Sequence, residues 1–168
     1  KIAGEAMCRA YNDRYGLDYV GLRYMNVYGP RQDQHAVYSG VIPIMLNKID
    51  ANEAPVINGD GSQAYDFIDV RDVARCHVLA LTSEATDEFY NVGSGIGTDI
   101  KTVAQKILDV TKSDLKIQYE PAGQTFVTNR IGTTQKAEQD LGFTAGCDLE
   151  EGIRRLIRWR NEQPGTKA

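Results

Sequence analysis

Leu22-Arg23-Tyr24-Met25-Asn26-Val27-Tyr28-Gly29-Pro30-Arg31 is the stretch on which the fold turns. From Leu17 to Tyr28 the chain is rich in β-formers, and Val20, Leu22 and Tyr24 alternate, the period of a strand. Gly29-Pro30 ends that strand, and a loop is expected through Tyr38. Upstream, Lys1 to Tyr15 reads as a helix, with Ala3, Ala6, Met7, Ala10 and Tyr11 on one side and Gly16 as its stop. A helix feeding a strand that ends in a polar, aromatic loop is the unit of an α/β sheet. In such sheets the carboxyl end of a strand is where ligands sit. Asn26 there offers a donor and an acceptor, and Tyr24 and Tyr28 offer stacking faces.

Downstream the alternation continues. Val41 to Ala51 suits a helix, with Pro43 in its first turn, where a missing N–H costs little. Pro55 to Asn58 is a short strand followed by the turn Gly59-Asp60-Gly61. Phe67-Ile68 is strand-like, and Asp69 with Asp72 resembles a capping box ahead of a helix through Leu81. Glu88 to Val92 is a strand. Thr98 or Asp99 can cap the next helix, whose Ile100, Val103, Ala104, Ile107 and Leu108 form one stripe. Lys116 to Tyr119 is a strand, Thr133 to Leu141 a short helix closed by Gly142. Asp148 with Glu151 opens a last helix packed through Leu149, Ile153, Leu156 and Ile157. The fold class is α/β, with few strands and therefore an incomplete sheet.

The 168 residues suit one domain or one large fragment, and 42% hydrophobic and 25% charged residues are ordinary for a globular chain. No apolar run reaches the roughly 18 residues of a membrane helix. The start is helix-like and carries Glu5 and Arg9, unlike a signal peptide. It begins at Lys1 rather than Met, as a truncated or processed product does. A net charge of −4 with no Lys/Arg run argues against nucleic acid as a partner. Cys8, Cys76 and Cys147 stand far apart, so neither a disulfide framework nor a metal site is expected, and a reducing, cytoplasmic setting fits. His35 and His77 are too few for most metal centres.

Two motifs invite a functional reading and do not sustain it. Gly93-Ser94-Gly95-Ile96-Gly97 follows a strand and precedes a helix, but a dinucleotide loop needs a third glycine where this chain has Thr98. A tight strand-to-helix turn is the expectation. Arg154, Arg155, Arg158 and Arg160 lie close together, yet Glu150 and Glu151 precede Arg154 and Arg155 by four residues, the favourable order for helical ion pairs. They read as a solvated helix face. His77, amid an apolar helix, reads as a packing or surface residue.

The order of the segments carries more than any one of them. Lys1-Ile-Ala-Gly-Glu5, Leu-Arg-Tyr-x-Asn-Val-Tyr-Gly-Pro, Val41-Ile42-Pro43, Asn58-Gly-Asp-Gly-Ser-Gln63, Asp66-Phe67-Ile68-Asp69-Val70-x-Asp72-Val73-Ala74, Tyr90-Asn91-Val92-Gly93, Lys136-Ala137 and Leu141-Gly142-Phe143 follow one another across the chain. Together they resemble the sugar-nucleotide epimerases and dehydratases of the extended short-chain dehydrogenase/reductase family. The resemblance implies the last strands of a Rossmann-type sheet (about 1–30 and 66–95), interleaved with a small C-terminal substrate-binding domain (about 31–65 and 96–168).

It also implies chemistry. Lys1 matches the Lys of the family's Tyr-x-x-x-Lys pair, whose Tyr falls four residues earlier. In the family this Lys contacts the nicotinamide ribose of NAD and lowers the Tyr pKa by its charge. Tyr24 matches a residue beside the nicotinamide, and Asn26 the Asn that contacts the substrate diphosphate. Val41 belongs to a segment approaching the nucleotide, and Val56 and Asn58 flank the base. Two departures stand out: Tyr65-Asp66-Phe67 replaces Arg-Asp-Phe or Arg-Asp-Tyr, and Pro121-Ala122-Gly123-Gln124 replaces Arg-x-Gly-Asp. Both lost arginines are diphosphate clamps in the family, with Arg31 and Arg130 as the substitutes here. The implied function is the substrate-binding half of a UDP-glucose 4-epimerase-like enzyme, inactive by itself and not binding NAD alone. The alternatives are a 4,6-dehydratase or decarboxylase fragment, or a non-catalytic binding remnant. The implied partners are a nucleotide sugar and a second copy docked through the N-terminal region, or else a separate N-terminal half.

Overall fold

The computed structural model describes residues 1–33, 40–123 and 128–163. His35, Tyr38 and Gln124 lie outside the described residues. The first helix, α1 (Ile2–Tyr15), closes at Gly16, whose φ of 65° is the left-handed conformation that glycine adopts without a Cβ penalty; its N–H donates to the carbonyl of Asn12. The expected single strand is in fact two, β1 (Val20–Tyr24) and β2 (Asn26–Tyr28). The break is a change of partner. β1 runs parallel to β5 (Glu88–Val92), and the Met25 N–H makes the last bond to that neighbour, at the Val92 carbonyl (2.9 Å). β2 then runs parallel to β4 (Ala64–Asp69), with Asn26 opposite Phe67.

Helix α2 (Val41–Asp50) and strand β3 (Val56–Asn58) come next among the described elements, and α3 (Val70–Thr82) leaves β4 directly. Two strands were not expected from the sequence. β6 (Gly97–Asp99) pairs antiparallel with β4, and β8 (Asn129–Arg130) pairs parallel with it. At three and two residues they are too short to show a period. β7 (Gln118–Glu120) pairs parallel with β3. Helices α4 (Ile100–Thr111), α5 (Gln135–Leu141) and α6 (Leu149–Glu162) complete the chain.

Two apolar cores hold these elements. One joins α2, β3, α4 and α6 through Met45, Leu46, Ile57, Ile107, Ile153 and Leu156. All five residues of the α4 stripe are buried. The other joins β4, α3, β5 and α5 through Ile68, Val73, Tyr90, Val92, Leu141 and Phe143. Each large side chain so buried stabilises by about 1.5–3 kcal/mol. α6 approaches β2 closely because Gly152 faces Tyr28; a Cβ there would lie 2.0 Å from the phenol oxygen. By contrast α1 buries none of its residues, and Ile2, Met7 and Tyr15 are 85%, 60% and 70% exposed.

Three aspartates cap helices as expected: Asp69 accepts from the Arg71 N–H (2.8 Å), Asp99 from Thr102 (2.7 Å) and Asp148 from Glu151 (3.0 Å). The reciprocal half of the Asp69–Asp72 capping box is absent. The Asp72 carboxylate instead accepts from the backbone N–H groups of Gly146 (3.0 Å) and Cys147 (2.9 Å) and from Arg75 (2.9 Å). The arginine face of α6 is solvated only in part. Arg154 and Arg155 pair with Glu150 and Glu151, but Arg160 is 4% exposed and donates to Asp50 (2.5 Å) and Asn47 (2.8 Å) on α2. It faces α2 because the helix turns its guanidinium inward, where Asp50 supplies the compensating charge that a buried cation needs. Among the described residues no helix is long and apolar enough to cross a membrane, and no group of three or more His, Cys, Asp or Glu is placed to hold a metal.

Candidate functional site

The parallel strands β2 and β4 border a cleft of about 860 Å³, β2 along Asn26–Tyr28 and β4 at Tyr65 and Phe67. Its floor is β2, with Asn26 and Tyr28; one wall is the first turn of α2 from Val41; the other is β3 with Val56 and Asn58. Tyr65 and Phe67 of β4 line it as an edge-on aromatic pair with centroids 6.3 Å apart. Tyr24 stands at its edge. None of the described lining residues is charged. The cleft therefore offers apolar and aromatic faces with a few amide and hydroxyl groups, the usual make-up of a small-molecule site.

Local bonds fix the polar groups. The Asn26 side-chain amide donates to the Asp66 carbonyl (3.2 Å), which leaves its oxygen free to accept. The Gln63 amide donates to the Asn58 carbonyl (3.2 Å), tying the turn after β3 to the strand. Tyr24 and the His77 Nε2 are 2.8 Å apart, and the His77 Nδ1 lies 2.8 Å from the Val73 carbonyl. A carbonyl can only accept, so Nδ1 carries a proton and donates to it. Partial burial, and then the nearby Cys76, raise the Tyr24 pKa above its ordinary value. Burial raises that of Tyr28 far more. Both phenols stay protonated as hydrogen-bond donors.

The sequence-derived candidates are therefore not all in one place. Tyr24, Asn26, Val41, Val56 and Asn58 meet at the cleft. Arg130 is exposed beside its rim, its backbone in register with Tyr65 on β4. Arg31 lines a neighbouring cavity instead, and its backbone there takes a φ of 70°. Lys1 is exposed at the start of α1 and lines neither. Tyr65, Phe67, Gln63 and His77 were missed as contributors. Tyr65 and Phe67 alternate on β4, a signal that the sequence did carry.

The Gly93–Gly97 turn is occupied from within. Asp66, fully buried, accepts from the Ser94 N–H (2.7 Å), the Ser94 hydroxyl (2.7 Å) and the Gly95 N–H (2.9 Å). These are the N–H groups a pyrophosphate would need, and the turn leads into β6 rather than straight into a helix. The turn does not fit a dinucleotide.

Residues 1–93 match the NAD dependent epimerase/dehydratase family. The chain belongs to that family. Within it, the chain is 36% identical over 172 residues to the Methanocaldococcus jannaschii protein called "Putative UDP-glucose 4-epimerase", covering 99% of this chain and 53% of that one. The solved UDP-glucose 4-epimerase of Thermotoga maritima with UDP-glucose superposes with a TM-score of 0.91 at 32% identity, over 96% of this chain and 52% of that one. The UDP-N-acetylglucosamine 4-epimerase of Methanobrevibacter ruminantium, solved with UDP-N-acetylmuramic acid, gives 0.88 at 33%, over 94% and 51%. The fold is thus the α/β architecture of these Rossmann-like epimerases, and the chain spans about half the length of the curated relatives it matches.

Proposed function

We propose that this chain forms the nucleotide-sugar-binding face of an NAD-dependent 4-epimerase of the UDP-glucose type and does not turn substrate over by itself. The observation that carries the proposal is the aromatic cleft of about 860 Å³ along β2 and the first half of β4, uncharged among its described lining residues, in a family chain similar to epimerases solved with UDP-glucose and UDP-N-acetylmuramic acid. In this reading Asn26 contacts the diphosphate through the second N–H of its side-chain amide, the first being held by the Asp66 carbonyl, and Val41, Val56 and Asn58 flank the nucleotide. Arg130, at the rim, supplies the charge that Tyr65 does not. Elements of about 1–30 and 66–95 belong to the Rossmann unit, and about 31–65 and 96–168 to the substrate domain.

NAD is the cofactor in this reading, and it would supply the hydride acceptor. Tyr24, with its ring at the cleft edge, and Lys1 are the contacts this chain offers it. The Gly93–Gly97 turn offers none, since Asp66 holds its N–H groups. That is the ground for expecting no catalysis by these 168 residues alone.

Calorimetric titration with UDP-glucose tests the proposal, paired with an assay for UDP-galactose after NAD is added. Expected are weak, saturable binding of UDP-glucose that Asn26→Ala lowers at least fivefold, an effect on the order of 1 kcal/mol, and no epimerised product. Absence of binding at millimolar UDP-glucose would remove the substrate reading. Product formation would remove the claim of inactivity.

A further inference from the structure

Next to the neutral cleft lies a second cavity, of about 730 Å³, with the opposite chemistry. Val27, Tyr28 and Gln32 border both. Its wall carries four guanidiniums from three separate parts of the chain: Arg31 beyond β2, Arg71 in the first turn of α3, and Arg155 and Arg158 on α6. Glu162 is the one carboxylate among its described lining residues. Arg155 is engaged, 3.7 Å from Asp69 and 3.6 Å from Glu151. Arg31, Arg71 and Arg158 have no carboxylate within 4.0 Å among the described residues. On the same helix, Arg154 and Arg160, which do not line the cavity, are both paired.

This distribution runs against the chain's own balance. Carboxylates outnumber Lys and Arg, 23 to 19, yet three arginines with no carboxylate partner among the described residues converge on one concavity. Like charges gathered in a concave site repel one another and raise the local concentration of anions. A guanidinium fork matches phosphate oxygens two at a time, and several forks from different directions suit an anion with several oxygens and more than one charge. A single carboxylate could satisfy only one of them.

We propose that this cavity binds a small phosphoanion bearing two or more charges, a diphosphate group foremost, through Arg31, Arg71 and Arg158. It is a site distinct from the nucleotide-sugar cleft, since none of these arginines lines that cleft.

Trp159 is the only tryptophan of the chain and lines this cavity, so its fluorescence reports locally. The chain is titrated with inorganic pyrophosphate, and separately with inorganic phosphate. The expected result is a saturable change with pyrophosphate, tighter than with phosphate. Arg31→Gln and Arg158→Gln should each weaken it about tenfold or more. Arg154→Gln, which removes a charge of the same helix outside the cavity, and Asn26→Ala, in the cleft, should leave it unchanged. A thermal melt checks each variant, and the exposed Arg71 gives a further neutral variant, Arg71→Gln, should Arg31→Gln not fold. No saturable change up to millimolar pyrophosphate would overturn the proposal. So would equal weakening by Arg154→Gln, binding of phosphate as tight as of pyrophosphate, or loss of binding in Asn26→Ala.

Discussion

Asp66→Ala should be among the most damaging single changes in the chain. The carboxylate is fully buried, and no cation is paired with it among the described residues; its partners are the N–H groups of Ser94 and Gly95 and the Ser94 hydroxyl, at 2.7–2.9 Å. A hydrogen bond to a charged group contributes about 1.5–3 kcal/mol, so three would sum to about 4.5–9 kcal/mol if they were independent. They are not. Gly95 is exposed and Ser94 half-buried, so water recovers part of what the alanine variant loses. A net cost of about 3 kcal/mol is expected. Asn keeps one oxygen for Ser94 but turns an NH₂ toward the Gly95 N–H, so Asp66→Asn should cost about half as much. Urea unfolding followed by circular dichroism gives both values. A second effect follows from position: the Asp66 carbonyl holds the Asn26 amide, so loosening β4 at this point should also weaken ligand binding in the cleft. A cost below about 1 kcal/mol for Asp66→Ala, or an Asn variant worse than the Ala variant, would refute the assignment of the turn to an internal anion.

Asp148→Ala should cost about 0.5–2 kcal/mol in thermal or urea unfolding as a simple helix cap. Asp69→Ala should exceed it, because Asp69 is fully buried and also faces Arg155 at 3.7 Å and the Cys147 thiol at 3.5 Å; equal costs would count against that added role. Burial pulls the Asp72 pKa upward, but Arg75 and the N–H groups of Cys147 and Gly146 outweigh it and hold it below the ordinary carboxylate value. Its stabilisation is therefore present above about pH 4 and lost as pH falls through the folded pKa. Asp72→Asn should flatten the decline of the urea midpoint between about pH 5 and 2, and an unchanged slope would exclude it. The exposed apolar face of α1 and the outer edge of β1, whose described partner is β5 alone, predict self-association through residues 1–24. Light scattering should give the mass of two chains, and Met7→Asp should return it to one; a monomer at high concentration would contradict this.

Most helices were legible because their signals are local. Gly16, Gly142, Asp99 and Asp148 end or begin helices by chemistry within four residues, and the α4 stripe is an uninterrupted 3.6-residue pattern. What escaped depends on distant partners. The split at Met25 is invisible because both halves are β-formers; only the neighbours differ. Asp72 reads as half of a capping box until the 146–147 backbone arrives from across the chain. Arg160 reads as surface until Asp50 meets it. The same holds for the cleft. Asn26 and Tyr24 announce themselves at the end of a strand, whereas Tyr65 contributes because β4 happens to run beside β2, and Arg31 proves to line the neighbouring cavity, a placement no local pattern encodes.

The change of neighbours at Met25 has a mechanical meaning. Tyr24 is carried by the strand bonded to β5, and Asn26, two positions on, by the strand bonded to β4. One peptide segment thus acts as a gauge between two separately mounted ribbons. Any sliding of β5 against β4 must appear as a change in the spacing of the two side chains that edge the cleft. Conversely, a molecule gripping both side chains would clamp the ribbons together. The segment also has no slack: an inserted residue at 25 would reverse the facing of everything beyond it on β2. Length variation in this chain should therefore gather in the connections that end away from β1 and β2, and stop short of this single joint.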